Sequence, residues 1–270
     1  MRNLILKLTG SAAIRKTVKA LRLHLLVNKW LHWFPVIKTL PGSGIRYRAR
    51  RVESLGLSAE MFDQGSLYTT SGLPERISTF ADLGCNVGYF TVWLADRMKS
   101  TKLKGIMVDA NSDAVEDARW HVEANKMSDV KVLEGIVGAD AKTEKATFYV
   151  HTSNVCSTTA PVEGTEVDRS TWTKIEVPCV KVEENWVKSF GNIPCDLLKI
   201  DIEGSEMDFF RNEVVFLGRV QTIILEWHKW RVSLDELKSC LGSQGFTLKT
   251  VLHEDEGLGT AIFDRKGLKA

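Results

Sequence analysis

The segment Asp82-Leu-Gly-Cys-Asn-Val-Gly88 constrains the fold of this chain more than any other part of it. It completes a short apolar run from Thr79 to Gly84, and it precedes the stretch from Tyr89 to Met98, whose apolar residues recur at helical spacing. Glycine permits a tight turn and a close approach of ligand to backbone, and the start of the next helix offers unpaired N–H groups. The sequence therefore predicts a strand, a ligand-binding turn and a helix.

Strand and helix patterns continue to alternate after this turn. Lys104 to Asp109 is predicted to be a second strand, and a helix capped by Ser112 is predicted to run to about Asn125. Val130 to Val137 follows as a third strand. Such alternation indicates right-handed crossovers and a parallel sheet that is covered by helices on both faces.

The second half of the chain resumes this alternation after an interruption. Residues 139–192 are predicted to be an insertion with strands at Ala146–Val150 and Lys174–Val182. Strand, helix, strand, helix and hairpin are predicted to follow in that order. Their bounds are Asp196–Ile202, a helix from Ser205, Val220–Trp227, Ser233–Leu241, and a hairpin of Phe246–Leu252 and Thr260–Phe263 around Gly257.

The first 52 residues form a basic segment. They contain twelve Lys or Arg and no Asp or Glu, whereas the rest of the chain contains 24 basic and 34 acidic side chains. Residues 12–34 are predicted to be helical, and Ile45–Arg50 to be a strand with one charged face. We favour packing of the helix on the rest of the protein, and contact with an anionic membrane is the alternative. Its apolar face consists of Ile14, Val18, Leu21 and Leu25.

Composition excludes several classes of protein. The acidic remainder argues against a broad nucleic-acid-binding surface. No apolar run reaches the roughly 18 residues of a membrane-spanning helix, and no signal-peptide pattern is found at the N-terminus. The five cysteines are widely spaced without a C-x-x-C pair and are predicted to be reduced, mostly buried thiols. We therefore expect a cytoplasmic protein.

Asp109 closes the second predicted strand, beside the glycine turn. A carboxylate at this place in a nucleotide-binding sheet accepts hydrogen bonds from ribose hydroxyl groups. The turn is not a P-loop, because no Lys-Ser or Lys-Thr follows, and it departs from the dinucleotide fingerprint, because Cys85 and Asn86 fill the spacing. The alternative is that Asp82 only braces the turn and Asp109 is an exposed acid.

Three motifs resemble the FkbM-type family of S-adenosylmethionine-dependent methyltransferases. They are Asp82-Leu-Gly-Cys-Asn-Val-Gly88, Leu198-Lys-Ile-Asp-Ile-Glu-Gly-Ser-Glu206 and Leu225-Glu-Trp-His228. The resemblance covers about residues 45 to 265 and extends to Gly135–Gly138 with Ala146–Val150, and to a lead-in at Ala59–Phe62 with Tyr68. The chain departs from the family at Val182-Glu-Glu184, where Thr-Leu-Asp is frequent.

The resemblance implies an α/β fold of the Rossmann-like class I methyltransferase type. This fold has a mostly parallel seven-stranded sheet, helices on both faces and a C-terminal antiparallel hairpin. Residues 1–44 are then a basic amphipathic extension and residues 45–270 the FkbM-type methyltransferase domain. The implied cofactor is S-adenosyl-L-methionine. The residues expected to bind it are Asp82, Gly84, Asn86, Gly88, Asp109, Asn111 and Ile136.

The implied reaction is O-methylation of a hydroxyl group on a sugar, glycolipid or secondary metabolite. Such an acceptor loses a proton, so the site needs a general base. We favour Asp201 and His228, with Glu203 and Glu226 as further candidates, because all four lie at the ends of the fourth and fifth predicted strands. The expected partner is a small-molecule, glycan or lipid-linked hydroxyl acceptor, with no nucleic acid.

Several of these residues have structural alternatives. Glu203 and Glu206 can stabilise the start of a helix, and His228 can be an ordinary packed histidine. Lys199 is interpreted as a strand residue that reaches solvent. No metal is expected, because the sequence lacks a close acidic cluster of the D-x-x-x-D-N kind.

Two other functions are alternatives to methyl transfer. One is a nucleotide-sugar or NAD-dependent oxidoreductase on a similar sheet, which the missing third glycine disfavours. The other is a non-catalytic module that contacts a membrane.

Overall fold

The computed structural model describes residues 23–63, 68, 72–140, 142–151 and 172–267. Before the central sheet come helix α1 (Leu23–Trp33), strands β1 (Val36–Thr39) and β2 (Arg46–Ala49), helix α2 (Val52–Ser58) and a π-helical turn (Ala59–Asp63). The elements that follow are β3 (Thr79–Leu83), α3 (Tyr89–Met98), β4 (Lys104–Asp109), α4 (Ser112–Ala124), β5 (Val130–Glu134), β6 (Lys145–His151), β7 (Trp172–Pro178), α5 (Val182–Phe190), β8 (Cys195–Ile200), α6 (Glu206–Asn212), α7 (Val214–Leu217), β9 (Val220–His228), α8 (Leu234–Ser243), β10 (Phe246–Glu254) and β11 (Leu258–Arg265).

Seven strands form the central sheet in the order β10, β11, β9, β8, β3, β4, β5. Strands β9, β8, β3, β4 and β5 are parallel to their neighbours in this series. Strand β11 is antiparallel to both β9 and β10. The expected seven-stranded, mostly parallel sheet with a C-terminal antiparallel hairpin is therefore confirmed.

Both faces of the sheet are buried, as the apolar character of the parallel strands requires. On one face, Ala81 and Leu83 pack in a cluster that includes Trp186 of α5 and Phe209 of α6. On the other face, Phe80 packs in a cluster that includes residues of α3 and α4. Every residue of β3 is buried, which fixes the position of the turn that follows it.

The predicted insertion forms a separate antiparallel pair, β6 and β7. It is linked to the central region through a bridge between Ile136 and Cys179. The cap of α4 differs from the prediction, because Asn111 rather than Ser112 precedes the helix and accepts hydrogen bonds from the backbone N–H groups of Asp113 and Ala114. Asparagine and serine are both strong N-cap residues, so their order in the sequence did not decide between them.

The N-terminal region differs from the expected packing of its apolar face. Among the four residues of the predicted apolar face, Ile14, Val18 and Leu21 lie outside the described residues, and Leu25 is 58% exposed instead of packed. Strand β2 has the expected charged face: Arg46 is exposed, while Arg48 and Arg50, the latter just after the strand, form ion pairs with Asp117 of α4.

Strand β1 was not predicted, and its pairing with β2 crosses the proposed boundary at residue 44. Among the described residues, no helix has both the length and the apolar character needed to cross a membrane. Four of the five cysteines lie in the described part of the chain, and all four are free thiols. They are Cys85, Cys179, Cys195 and Cys240.

Candidate functional site

A cavity of about 400 Å³ lies at the carboxyl ends of β3, β4, β8 and β9. The chain builds β3, β4 and β5 towards one edge of the sheet and then places β8 and β9 on the other side of β3. Ligands of open α/β sheets bind at such a reversal of strand order. The volume lies in the range of cavities that hold small ligands.

The glycine turn forms the floor of this cavity. Gly84 has a φ of 69°, and a Cβ atom placed on it would come within 1.7 Å of the carbonyl oxygen of Asp201. No other residue fits there without moving the end of β8. Asn86 also has a positive φ, 49°, and its backbone N–H donates to Oδ2 of Asp109 at 2.8 Å.

Asp109 presents its carboxylate to the cavity at the end of β4. Its two oxygens accept hydrogen bonds from the backbone N–H groups of Asn86, at 2.8 Å, and Asn111, at 2.9 Å. Burial raises the pKa of Asp109, whereas these two hydrogen bonds act in the opposite direction. Because each carboxylate oxygen has further lone pairs, Asp109 can still accept hydrogen bonds from a ligand.

Asn111 supplies a buried donor beside Asp109. Its Oδ1 caps α4, but its Nδ2 is buried without a hydrogen-bond partner among the described residues. An unsatisfied buried donor is costly, so this amide fits a polar ligand in the cavity. The cavity is also lined by three residues of one apolar cluster: Ala110, Ile136 and, from strand β6, Phe148.

Asp82 and Gly88 were expected to contact the cofactor, but neither lines the cavity. Asp82 is fully buried and accepts a hydrogen bond from the hydroxyl group of Thr91 at 2.9 Å. Gly88 precedes α3 with a φ of 86°, and a Cβ atom there would come within 2.7 Å of Met107. Both residues contact neighbouring elements instead, Asp82 through Thr91 of α3 and Gly88 through Met107 of β4.

Lys199 is not the solvent-facing residue that the sequence suggested, because it is only 5% exposed. Its ammonium group donates to the carbonyl oxygen of Gly84 at 2.7 Å. It also lies 3.6 Å from a carboxylate oxygen of Asp82 and 3.5 Å from one of Asp201. Burial alone lowers the pKa of Lys199, but the charges of Asp201 and Asp82 outweigh it and raise the pKa, so the side chain stays protonated.

His228 does not line the cavity, contrary to the preference for it as a base. Its Nδ1 lies 3.1 Å from Glu206 and its Nε2 lies 3.2 Å from Glu203. Burial lowers the pKa of His228, but its hydrogen bonds to Glu203 and Glu206 outweigh this effect and raise the pKa to about 11. An imidazolium ion has no lone pair for a substrate proton, so His228 neutralises the two carboxylates instead.

Glu226 is the acid of the cavity whose pKa best suits a general base. It lines the cavity near the carboxyl end of β9, one position beyond Leu225, which pairs with Ile200. Asp201 lies at the same level, directly after β8. Burial raises the pKa of Glu226 to about 7, and the charge of Asp201 acts in the same direction. A group with this pKa can take up a proton near neutral pH.

Glu203 lines the cavity with a strained backbone. Its φ is 52°, a conformation that residues other than glycine rarely adopt and that persists where the surroundings impose it. Gly204 follows with a φ of 94°, and a Cβ atom there would come within 2.7 Å of Trp230. This turn holds the Glu203 carboxylate beside His228.

Asp201, Glu203 and His228 offer oxygen and nitrogen atoms that lie within 4.8 Å of one another, a spacing that suits a divalent cation. Both ring nitrogens of His228 already contact carboxylates, and the imidazolium ion supplies the positive charge. We therefore interpret the cluster as an ion-pair network, and the expected lack of a metal remains a prediction.

The rest of the cavity wall comes from residues that the sequence did not single out as a site. Leu57, Glu60 and Met61 belong to α2 and the π-helical turn, and Tyr68 follows them. The only signal for this wall in the sequence was the resemblance of Ala59–Phe62 and Tyr68 to a family lead-in. Nothing in the sequence assigned Phe148 to the cavity.

The sequence matches the family model described as Methyltransferase FkbM domain over residues 82–248, which is more than half of the chain. None of the curated proteins matches the sequence.

The solved structures that are similar to this chain include three methyltransferase structures or complexes with a methyltransferase cofactor. Methyltransferase FkbM from Methylobacillus flagellatus KT has 13% identity and a TM-score of 0.45, with 70% of this chain and 43% of that chain covered. M. capricolum TrmK in complex with S-adenosyl-homocysteine has 13% identity and a TM-score of 0.41, with 70% and 62% covered. M. jannaschii TYW2 in complex with AdoMet has 12% identity and a TM-score of 0.43, with 86% of each chain covered. This chain spans less than two thirds of the length of the first two.

Proposed function

This chain belongs to the FkbM methyltransferase family, and we propose that it transfers a methyl group from S-adenosyl-L-methionine to a hydroxyl oxygen. One observation carries the proposal: a single cavity contains both a cradle suited to a nucleoside and a carboxylate that can accept a proton near neutral pH. The cradle consists of the glycine turn, Asp109 and Asn111, and the proton acceptor is Glu226.

The residues of the cradle fit the cofactor in both polarity and shape. Asp109 can accept hydrogen bonds from the ribose hydroxyl groups, and the unpartnered Nδ2 of Asn111 can donate to the same nucleoside. Ile136 and Phe148 offer an apolar wall for the adenine ring. Gly84 lets the backbone approach the ligand closely, as the contact with Asp201 requires.

The residues on the β8 and β9 side of the cavity perform the proton transfer. The bound cofactor supplies a methyl group on a positively charged sulfur. With the cofactor held by Asp109 and Asn111, an oxygen–carbon bond would form as the carbon–sulfur bond breaks, which leaves S-adenosylhomocysteine, and the carboxylate of Glu226 would accept the proton of the acceptor hydroxyl group. Asp201 raises the pKa of Glu226, and Lys199 limits this effect. Positioning of the two reactants contributes more than the base, about 7–11 kcal/mol of the barrier.

The acceptor is a small-molecule, glycan or lipid-linked compound with a hydroxyl group. Glu60 and Glu203 line the cavity beside Leu57 and Met61, so the wall presents both carboxylates and apolar side chains. Carboxylates accept hydrogen bonds from sugar hydroxyl groups and repel phosphate, while the apolar residues pack against ring carbons. This chemistry favours a polyhydroxylated, uncharged acceptor.

Calorimetry with the full chain tests the cofactor. We expect binding of S-adenosylmethionine and S-adenosylhomocysteine but not of NAD. Asp109→Asn should weaken cofactor binding by about 1.5–3 kcal/mol, the scale of a hydrogen bond to a charged group. Glu123→Gln, on the exposed side of α4, is the control. Unchanged affinity in Asp109→Asn, or binding of NAD alone, would contradict the assignment.

A transfer assay with labelled cofactor tests the reaction itself. A cell extract is separated into lipid, glycan, protein and small-metabolite pools, and we expect label in a pool that contains hydroxyl acceptors. Transfer should persist in EDTA, because His228 rather than a metal neutralises the carboxylates. Label in none of the pools would instead support a non-catalytic module.

A further inference from the structure

We propose that the exposed side of α1 binds to the surface of an anionic lipid bilayer. The motivating feature is a group of four large apolar side chains, each with more than half of its surface exposed. They are Leu25 (58%), Leu26 (68%), Trp33 (73%) and Phe34 (62%). Among the described residues, four of the nine exposed large apolar side chains therefore lie within residues 25–34.

This side of the helix is distinct from the side that packs on the protein. At 100° per residue, Leu25, Leu26 and Trp33 lie within about 100° of one another around the helix axis. Leu31 points elsewhere, is fully buried, and packs in a cluster with Val36 and other N-terminal residues. The apolar side chains of α1 thus form two surfaces, and core packing accounts for only one of them.

The charge around α1 suits an anionic partner. Lys29 is exposed and lies between Leu25 and Trp33 on the same side of the helix. Glu53, the first acidic residue in the sequence, accepts a hydrogen bond from Nδ2 of Asn28 at 3.3 Å, on the side of α1 that contacts α2 and not on the side of Lys29. Cations near an anionic bilayer favour binding, and tryptophan prefers the interface between lipid and water. The eight residues directly before the helix in the sequence contain four more cations, namely Arg15, Lys16, Lys19 and Arg22.

Contacts connect α1 to the wall of the cavity. Oδ1 of Asn28 accepts a hydrogen bond from the backbone N–H of Val52 at 2.8 Å, at the start of α2. Helix α2 continues into the π-helical turn, which contributes Glu60 and Met61 to the cavity wall. Bilayer contact through α1 therefore brings this wall close to the lipid surface. For the proposed methyl transfer, that position suits an acceptor with a lipid anchor.

Vesicle flotation of the full chain tests the inference. We expect binding to phosphatidylcholine vesicles that contain phosphatidylglycerol, little binding to phosphatidylcholine alone, and weaker binding as salt is raised. The double variant Leu26→Ser/Trp33→Ser should lower binding by about tenfold or more, because it removes apolar area from the contact. The control Val214→Ser/Val215→Ser changes residues of α7 that are 52% and 68% exposed, and it should bind as the parent protein does.

Three results would overturn the inference. The first is equal flotation of the two double variants, with circular dichroism melts showing that both are folded. The second is a parent protein that is dimeric in sedimentation, binds no vesicle and becomes monomeric in Leu26→Ser/Trp33→Ser, which assigns the surface to a second copy. The third is a monomeric parent protein that binds neither vesicle, which leaves the surface to residues 1–22. Flotation requires no methyl transfer, so these results are independent of the proposed function.

Discussion

Glu226 combines exposure to the cavity with a pKa of about 7, which burial and the charge of Asp201 produce. Below this pKa the carboxylate is protonated and cannot accept a proton, so the rate should rise with pH through about 7 and then level off. Glu226→Gln should lower turnover by about 10²–10⁴ and abolish this rise, while cofactor affinity stays unchanged. Rate measurements across pH with a verified acceptor, beside calorimetry, check both expectations.

The substitution Glu226→Gln lowers turnover but should raise the stability of the folded protein. A carboxyl group whose pKa is raised on folding destabilises the folded state as pH rises from its ordinary value of 4.5 to about 7. Glu226→Gln removes this cost and should raise the Tm at pH 8. The exposed Glu256→Gln is the control and should change neither activity nor Tm. Full activity in Glu226→Gln would assign the base to another residue.

Lys199 holds three groups of the site together, and its loss should affect both stability and the pH profile. Lys199→Met leaves Asp82 buried without its counter-charge, so we expect a loss of about 3–5 kcal/mol. Because the ammonium group also lowers the pKa of Glu226, the midpoint of the rate profile should move to higher pH. Denaturant unfolding and pH–rate measurements check the two effects.

Two variants test whether Lys199 acts through charge. Lys199→Arg keeps the charge and should leave the midpoint of the profile near that of the parent protein. Lys199→Met combined with Asp82→Asn removes both members of the buried pair and should recover part of the stability. A profile that Lys199→Met does not move would limit the residue to a structural role.

At the level of single residues, the sequence identified the acidic residues of the site but not the cationic side chains that each of them contacts. Asp109, Asp201 and Glu226 lie at or near the carboxyl ends of strands, and the topology of the sheet brings those ends together. The protonation of His228 depends on Glu206 being placed against it by α6, and the burial of Lys199 depends on the glycine turn of another strand. Neither contact leaves a local pattern in the sequence.

At the level of elements, the glycine turn and the end of β8 act as one unit. Gly84→Ala adds a Cβ atom 1.7 Å from the carbonyl oxygen of Asp201, and it does so at a φ of 69°. We expect a loss of cofactor binding in calorimetry together with a lower Tm, because the end of β8 must move. A left-handed backbone conformation at a residue other than glycine costs only about 1–2 kcal/mol, so a larger loss of stability would come from the collision with Asp201.

The variant Gly191→Ala is a control that separates the effect of backbone strain in Gly84→Ala from the effect of its collision with Asp201. Gly191 has a φ of 72°, but a Cβ atom there has no described atom within 4 Å. This control should lose stability through strain while keeping cofactor affinity. Equal effects of the two substitutions on affinity would show that the contact between Gly84 and Asp201 does not shape the site.

The strands and helices of the central sheet follow from the sequence because their patterns are long and apolar. Tyr89–Met98 and Lys104–Asp109 occur with the predicted bounds. Strand β1 has only four residues between Pro35 and Pro41, and its pattern is too short to indicate a strand. The ion pairs of β2 with Asp117 join residues almost 70 positions apart, so alternation in β2 could not show which neighbour its arginines meet.

At the level of the whole molecule, His228 links stability to alkaline pH. Its pKa rises from an ordinary 6.5 to about 11 on folding, so its contribution to stability is complete below pH 6.5 and is lost as pH rises through about 11. The Tm of the parent protein should therefore fall more steeply between pH 7 and 10 than that of His228→Gln. Calorimetric scans across this range check the slopes. The exposed His253→Gln should keep the slope of the parent protein, and a parallel fall in all three proteins would contradict the assigned charge of His228.

Strand β11 lies between β9 and β10, although it is the last described strand in the chain. Its Thr260 pairs with Glu226, and its Gly259 leaves room for Trp227. During vectorial synthesis the glycine turn, Asp109 and Asn111 leave the ribosome long before this strand does. A nascent chain can therefore assemble the nucleoside cradle before β11 emerges, whereas β9, the strand that bears the base, gains its outer neighbour only after β11 has also left the ribosome. Ribosome-bound chains should accordingly acquire cofactor affinity before they acquire catalytic competence.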